Sequence, residues 1–256
     1  MGDAPLVNQD LAGRVALVTG GATGIGRAVA LALVRQGADL AVLDINAQGA
    51  QETACLAQAY GRQAIALPAD VSDYDAVRAA LEQVRGRLGA PVVVVCNAGI
   101  AGTASLFRNE RKANWDRLFA VHVDGAFHCV RETINPMLDG GWGRIVLISS
   151  VAATLGWKGA AGYAAAKGAL LGFMRSLALE CAGRGVTANA VCPGVIETAL
   201  MREGTQRVLE QLREAIPMRR IGQPEDIAAA VAYLCSEQAG YVTGQVISPN
   251  GGLWVQ

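Results

Sequence analysis

The sequence predicts an α/β fold: one doubly wound parallel sheet of about seven strands, with helices on both faces, in a single domain. Three observations carry that expectation. Strand-like and helix-like patterns alternate along the chain. The strand candidates read as near-continuous Val, Ile and Leu runs, as in strands covered on both faces. A glycine-rich turn joins the first strand to the first helix, and an acidic residue, Asp44, closes the second strand.

The first strand is 15–19 (VALVT), and the turn after it carries Gly20, Gly24 and Gly26. The helix expected at 24–36 repeats Ile25, Val29, Ala32 and Leu33 at helical spacing, which gives it one apolar face for the sheet. Further strands are expected at 40–43, 63–67, 92–95, 144–149, 186–191 and 245–248. Helical patterns separate them at 47–60, 73–88, 112–138, 162–182 and 224–236. Right-handed crossovers between parallel strands then generate the doubly wound sheet. No linker, composition shift or longer repeat divides 1–256, so one domain is expected, with 1–12 as an N-terminal arm.

Composition excludes several classes of function. The chain has 256 residues, with 22 Lys and Arg against 22 Asp and Glu, so its formal net charge is zero. That balance points to no nucleic-acid partner and no membrane surface. The longest apolar runs, such as 91–96, are strand-length and far too short for a bilayer. The first dozen residues lack the charged start and apolar core of a signal peptide, so a cytoplasmic protein is expected. Six cysteines (55, 96, 129, 181, 192 and 235) show no metal-ligand spacing and are read as reduced core residues. No metal is expected.

In such a sheet, ligands bind beyond the carboxyl ends of the strands. A phosphate approaches closely where the backbone lacks a Cβ, and a helix start offers it unpaired N–H groups and a positive dipole end. The turn at Gly20–Gly26 has that form. Asp44 can accept hydrogen bonds from a ribose diol and would repel a 2′-phosphate. Thr23 stands where a basic residue would favour the phosphorylated cofactor. Both features favour NAD over NADP. Asp70 and Val71 follow the third strand, and Asn97, Ala98 and Gly99 follow the fourth. Each could be an ordinary turn; their succession at strand ends argues for a ligand cleft.

The chemistry is expected at the fifth strand. It ends at Ser149 and Ser150, and the next helix carries Tyr163 and Lys167, four residues apart. That spacing puts phenol and ammonium on one helix face. A neighbouring lysine and an oxidised nicotinamide would both lower the tyrosine pKa from near 10. Tyr163 would then exchange a proton with an alcohol or carbonyl oxygen that Ser150 holds by hydrogen bond. On spacing alone, a surface Tyr–Lys pair remains the alternative.

Four sets of residues together resemble the short-chain dehydrogenase/reductase family: TGGATGIG (19–26), NAG (97–99), Ser150 with Tyr163-x-x-x-Lys167, and Pro193, Gly194 and Thr198. The likeness runs from about Leu11 to the C-terminus, including YVTGQVISPNGG at 241–252. It implies a Rossmann fold and Tyr163 as catalytic acid/base, with Lys167 on the nicotinamide ribose and Ser150 positioning substrate. It further implies a cofactor site of Gly20, Thr23, Gly24, Ile25, Gly26, Asp44, Ile45, Asp70, Val71, Asn97, Ala98, Gly99, Pro193, Gly194, Ile196 and Thr198. Asp70 and Val71 would meet the adenine, and Ile196 and Thr198 the carboxamide. By the same resemblance the helices at 112–138 and 162–182 would pair copies into a homotetramer or homodimer.

Two positions depart from the family. Seven residues beyond Trp115, where an asparagine usually supports a proton-relay water, this chain has His122. An imidazole titrating near neutrality could relay protons itself, so His122 joins the catalytic candidates; a structural histidine is the alternative. Asn250 stands where Asp is common before the glycine pair, with only a local contact at stake. Residues 197–218 read as a helical substrate lid carrying Leu200, Met201, Val208, Leu209 and Leu212. With Leu155 and Trp157 they suggest a mostly apolar pocket for a secondary alcohol or ketone. Arg202, Arg207, Arg213, Arg219 and Arg220 could steer an anionic thioester or form a solvated face. Three readings therefore stand: an NAD-dependent secondary-alcohol dehydrogenase, an NADPH-dependent 3-oxoacyl-thioester reductase, and a non-catalytic cofactor-binding regulator.

Overall fold

The computed structural model describes residues 9–197 and 206–255. Its centre is one sheet of seven parallel strands in the order β3-β2-β1-β4-β5-β6-β7. The strands are β1 (Val15–Thr19), β2 (Asp39–Asp44), β3 (Ala64–Pro68), β4 (Pro91–Cys96), β5 (Gly143–Ile148), β6 (Val186–Val191) and β7 (Val246–Ile247). Side chains alternate across the pleat, yet the first four residues of β1 are buried apolar ones because helices cover both faces. Leu17, Leu43, Leu81, Met137, Leu147 and Met174 share one core layer. Val18, Val29, Leu33, Val42, Ile227 and Val231 share the other.

In chain order the helices are α1 (Gly24–Arg35), α2 (Ala47–Gln58), α3 (Tyr74–Arg87), α4 (Lys112–Phe119), α5 (Gly125–Gly140), α6 (Ala152–Leu155), α7 (Ala161–Cys181), α8 (Gln206–Ala215) and α9 (Pro224–Cys235). Most lie within two residues of the sequence expectation. The exception is the helix expected unbroken at 112–138. A π turn at Ala120–Asp124 divides it into α4 and α5, with His122 buried at its centre. One extra residue in the turn rotates α5 relative to α4 by about 100°. Leu118 can therefore pack beneath α7 at Gly162, while Ala126, Cys129 and Val130 face the sheet.

β7 is shorter than expected, pairing only Ala190↔Val246 and Val191↔Ile247 at the sheet edge. Of the expected lid, 206–215 is helical, while Thr198, Leu200, Met201 and Arg202 lie outside the described residues, as do the side chains of Arg207, Val208 and Leu209. The cysteines are free, and all but Cys55 are buried. Among the described residues no helix is long and apolar enough to cross a membrane.

Candidate active site

The strand order reverses direction between β1 and β4, and the crevice beyond their carboxyl ends is the place such a sheet offers a ligand. A cleft of about 390 Å³ lies there. Of the residues expected at a cofactor, Gly20, Thr23, Ile25, Gly26, Asp44, Ile45, Asp70, Val71, Asn97, Ala98 and Gly99 line it. The first turn of α1 opens at Thr23 with no side-chain cap and no acidic residue, so its N–H groups and dipole are free for an anion. A Cβ on Gly26 would overlap the Gly20 carbonyl, so only glycine lets turn and helix close this tightly. An uncapped helix start beneath a glycine cradle fits a dinucleotide's pyrophosphate.

Asp44 and Asn97 brace this cradle, with the Thr19 hydroxyl beside them. Asp44 Oδ2 accepts from the Ala22 N–H at 2.9 Å and Oδ1 from the Asn46 N–H at 2.8 Å. Asn97 Nδ2 donates to the carbonyls of Thr19 and Gly20, each at 3.0 Å, and Thr19 Oγ1 accepts the Asn97 and Ala98 N–H groups. Asp44 and Asn97 both line the cleft and also hold its floor together.

The residues expected to react stand just after β5 and on α7. Ser150 follows β5; its hydroxyl accepts from the Ala152 N–H at 3.2 Å and is near enough to Tyr163 to pull the phenol's pKa down. Lys167 is buried; its Nζ donates to the Ile148 carbonyl at 2.7 Å, and Ser149 Oγ donates to the Lys167 carbonyl at 2.8 Å. Lys167 Nζ lies 5.8 Å from the centre of the Tyr163 ring. Burial lowers the Lys167 pKa to about 8.

For Tyr163 the chain alone moves the pKa opposite to the direction expected with Lys167 and an oxidised nicotinamide together. Burial raises its pKa above the ordinary phenol value, opposed by the Ser150 hydroxyl. The protein's own environment thus keeps the phenol protonated.

His122 also corrects an expectation. Its pKa is lowered to about 3, by burial first and then by the Lys167 charge, so the ring is neutral at physiological pH and does not titrate near neutrality. Its Nε2 lies 2.9 Å from the Ile100 carbonyl. The Ile100 N–H also points at this nitrogen, at 3.4 Å; the shorter contact to the carbonyl makes Nε2 the donor, and Nδ1 has no partner among the described residues. The ring meets Tyr163 edge-on, at 5.5 Å and 84° between planes, and its other side backs Gly99. His122 therefore ties the π turn to the cleft wall directly behind the tyrosine.

The remaining candidates are spread more widely. Pro193 and Gly194 form the loop after β6, pinned by Val151 N–H to the Pro193 carbonyl and Gly194 N–H to the Pro249 carbonyl. Ile196 lines a neighbouring cavity of about 230 Å³ with Ile216, Met218 and Arg220. Asn250 organises a local turn, donating to Ser248 Oγ and the Trp254 carbonyl and accepting from Gly252 N–H. Sequence reasoning missed Leu43, Ala69, Ser72, Ile100, Arg117, Ala120 and Val121, which also line the main cleft. Arg117, Ala120 and Val121 are spaced i, i+3, i+4, a helix-face signal present in the sequence but unattached to any strand end.

This fold and site define a nicotinamide-dinucleotide oxidoreductase. The family model described as enoyl-(acyl carrier protein) reductase matches residues 20–254. The chain is 40% identical over 247 residues to the 3-oxoacyl-[acyl-carrier-protein] reductase of Pseudomonas aeruginosa, covering 96% of this chain and all of that one. It is 36% identical over 241 residues to the 2-dehydro-3-deoxy-L-rhamnonate dehydrogenase (NAD(+)) of a Sphingomonas species, covering 94% of this chain and 95% of that one. A crystal structure from Sinorhizobium meliloti 1021, provisionally assigned as a short-chain alcohol dehydrogenase, superposes with a TM-score of 0.90. Its sequence identity is 36%, with 95% of this chain and 97% of that one covered. The chain belongs to the short-chain dehydrogenase/reductase family.

Proposed function

We propose that the protein is an NAD-dependent oxidoreductase that interconverts a secondary alcohol and a ketone, with the whole chain serving as one dinucleotide-binding domain. One observation carries the reading: Tyr163 stands close enough to Ser150 for that hydroxyl to act on its pKa, and it rests on His122, whose ring backs Gly99 and Ile100 of the cleft wall. A substrate oxygen between Ser150 and Tyr163 is thereby held beside the dinucleotide cleft.

When bound, the nicotinamide supplies or accepts the hydride. The chain's own residues handle the proton. In reduction Tyr163 Oη donates its proton to the carbonyl oxygen; in oxidation it receives the proton of the hydroxyl. Ser150 holds that oxygen and fixes its distance from the phenol. Burial keeps Tyr163 protonated, which suits reduction, and oxidation calls for added positive charge beside the ring. Lys167 is held by Ile148 beneath that ring. His122 does its part as a neutral N–H donor to Ile100, in place of the family's asparagine, and the cleft wall keeps its shape.

Asp44 favours NAD, since its carboxylate stands in the cleft beside Ile45, where a 2′-phosphate would meet like charge. The Sphingomonas relative, named for NAD(+), supports this choice. Exposed Phe127 on α5 and Leu179 on α7 support pairing of copies through these helices, as in a homotetramer. The buried free thiols suit a reducing, cytoplasmic setting.

A second reading, reduction of a 3-oxoacyl thioester with NADPH, is favoured by the Pseudomonas relative. The test assays purified protein with NAD and NADP on linear, cyclic and aryl secondary alcohols, and with the reduced cofactors on ketones and a 3-oxoacyl thioester. Turnover with NAD on an alcohol, lost in Tyr163→Phe, is the expected result. A strong preference for NADPH on the thioester would establish the second reading and overturn the role given to Asp44.

A further inference from the structure

The two sides of the main cleft are built by different elements. Ser150 lies two strands to one side of β1, after β5; Asp70, Val71 and Ser72 lie two strands to the other, after β3. With pyrophosphate at the start of α1 and the reacting groups on the β5 side, the β3 side receives the adenosine half.

The Asp70–Ser72 turn is braced from within by Asp70 Oδ1, which accepts from the Ser72 N–H at 2.9 Å and the Ser72 hydroxyl at 2.7 Å. Its outer support comes from α5. His128 Nδ1 lies 2.8 Å from the Val71 carbonyl, so Nδ1 carries the proton and donates. Among the described residues the imidazole is that carbonyl's partner. One turn earlier, Gly125 makes room for Val71: a Cβ there would stand 2.7 Å from Val71 Cγ2. The imidazole is itself confined, with the Tyr74 ring 5.1 Å away at 57° and the Phe127 ring at 5.9 Å. Tyr74 in turn donates to Glu132 Oε1 at 2.6 Å.

We propose that His128 is a positioning residue for the adenosine half of the cofactor, locking the Asp70–Ser72 turn in its receiving shape through the Val71 carbonyl. The inference rests on the reading of this cleft as a dinucleotide site. No residue assigned to the proton chemistry takes part in the bond, so its loss falls on binding and leaves the chemical step intact. An asparagine at 128 places an amide N–H near the position of Nδ1 and should substitute; a leucine fills the space without a donor.

Calorimetry with AMP and ADP-ribose, NADH-binding fluorescence and steady-state kinetics test it on wild type, His128→Leu, His128→Asn and Gly125→Ala. His128→Leu should weaken AMP and ADP-ribose by about fivefold, raise KM for NAD in parallel and leave kcat within about twofold. His128→Asn should restore AMP affinity to within about twofold of wild type, and Gly125→Ala, acting on the other support of the turn, should weaken AMP as leucine does. A purely structural role would lower thermal stability without separating KM from kcat. Unchanged AMP affinity in both His128→Leu and Gly125→Ala would overturn the inference while leaving the cleft's assignment standing. A folded wild type that binds neither AMP nor any nicotinamide dinucleotide would overturn the assignment and the inference with it.

Discussion

Lys167→Met should make the protein more stable at neutral pH, because the wild-type ammonium is held where water cannot reach it. Lys167 is 4% exposed, and burial takes its pKa from 10.5 to about 8. That difference corresponds to about 3 kcal/mol of cost at pH 7. Methionine removes the cost but strands the Ile148 carbonyl, which loses a donor at 2.7 Å and gives back about 1–2 kcal/mol. The net expectation is a gain of roughly 1–2 kcal/mol at pH 7, with turnover lost. The sign changes with pH. The folded state holds this proton less tightly than the unfolded chain, so between pH 8 and 10.5 the unfolded chain binds more protons and wild-type stability rises. Below pH 8 the whole cost is present, and above 10.5 it is gone. Urea unfolding of both proteins at one concentration, from pH 7 to 10.5, should therefore show the variant ahead at first and behind at the end. A stability difference that stays flat across that range, or a variant less stable at neutral pH, would refute the reasoning.

Further outcomes concern His122. Gly99→Ala places a Cβ 2.5 Å from His122 Cε1, and the displaced imidazole should cost about 1–3 kcal/mol in urea unfolding. His122→Asn should recover part of that loss in the double variant, since the smaller side chain gives way. Alone, His122→Asn should keep kcat within about threefold and leave the pH profile between about 5 and 8 unchanged. A neutral ring with a pKa of about 3 contributes no inflexion there. Disappearance of a wild-type inflexion near neutrality would mean that His122 does titrate in catalysis. Because its pKa is lowered on folding, wild type should also lose stability relative to this variant as pH falls from 6.5 toward 3.

What was legible in the sequence is what local spacing encodes. The glycine turn between a strand and a helix, the i, i+4 pair Tyr163 and Lys167, and the polar residues at successive strand ends all state their geometry within a few residues. The π turn does not, because one wide turn leaves the helical apolar pattern readable on both sides of it. Burial is likewise hidden. Tyr163 and Lys167 looked like a mutually tuned pair, yet desolvation dominates both and moves the phenol up. His128 meets Val71 across 57 positions of chain, a contact visible only after α5 has docked. Asn97 looked like a ligand contact alone; its amide also ties β1 to β4, which a turn-like Asn-x-Gly does not advertise.

The strand order also sets a timetable for synthesis. β1 sits in mid-sheet, but its second neighbour, β4, begins only at Pro91. The apolar face of α1 shares its core with α9, which emerges about 200 residues after it, so at about 5–20 residues per second that face waits roughly 10–40 s for its cover. During this interval the nascent chain presents Val29 and Leu33 as a sticky surface, at the end that carries the glycine turn. The amino-terminal half thus carries an apolar face whose last covering helix is among the final elements to be made.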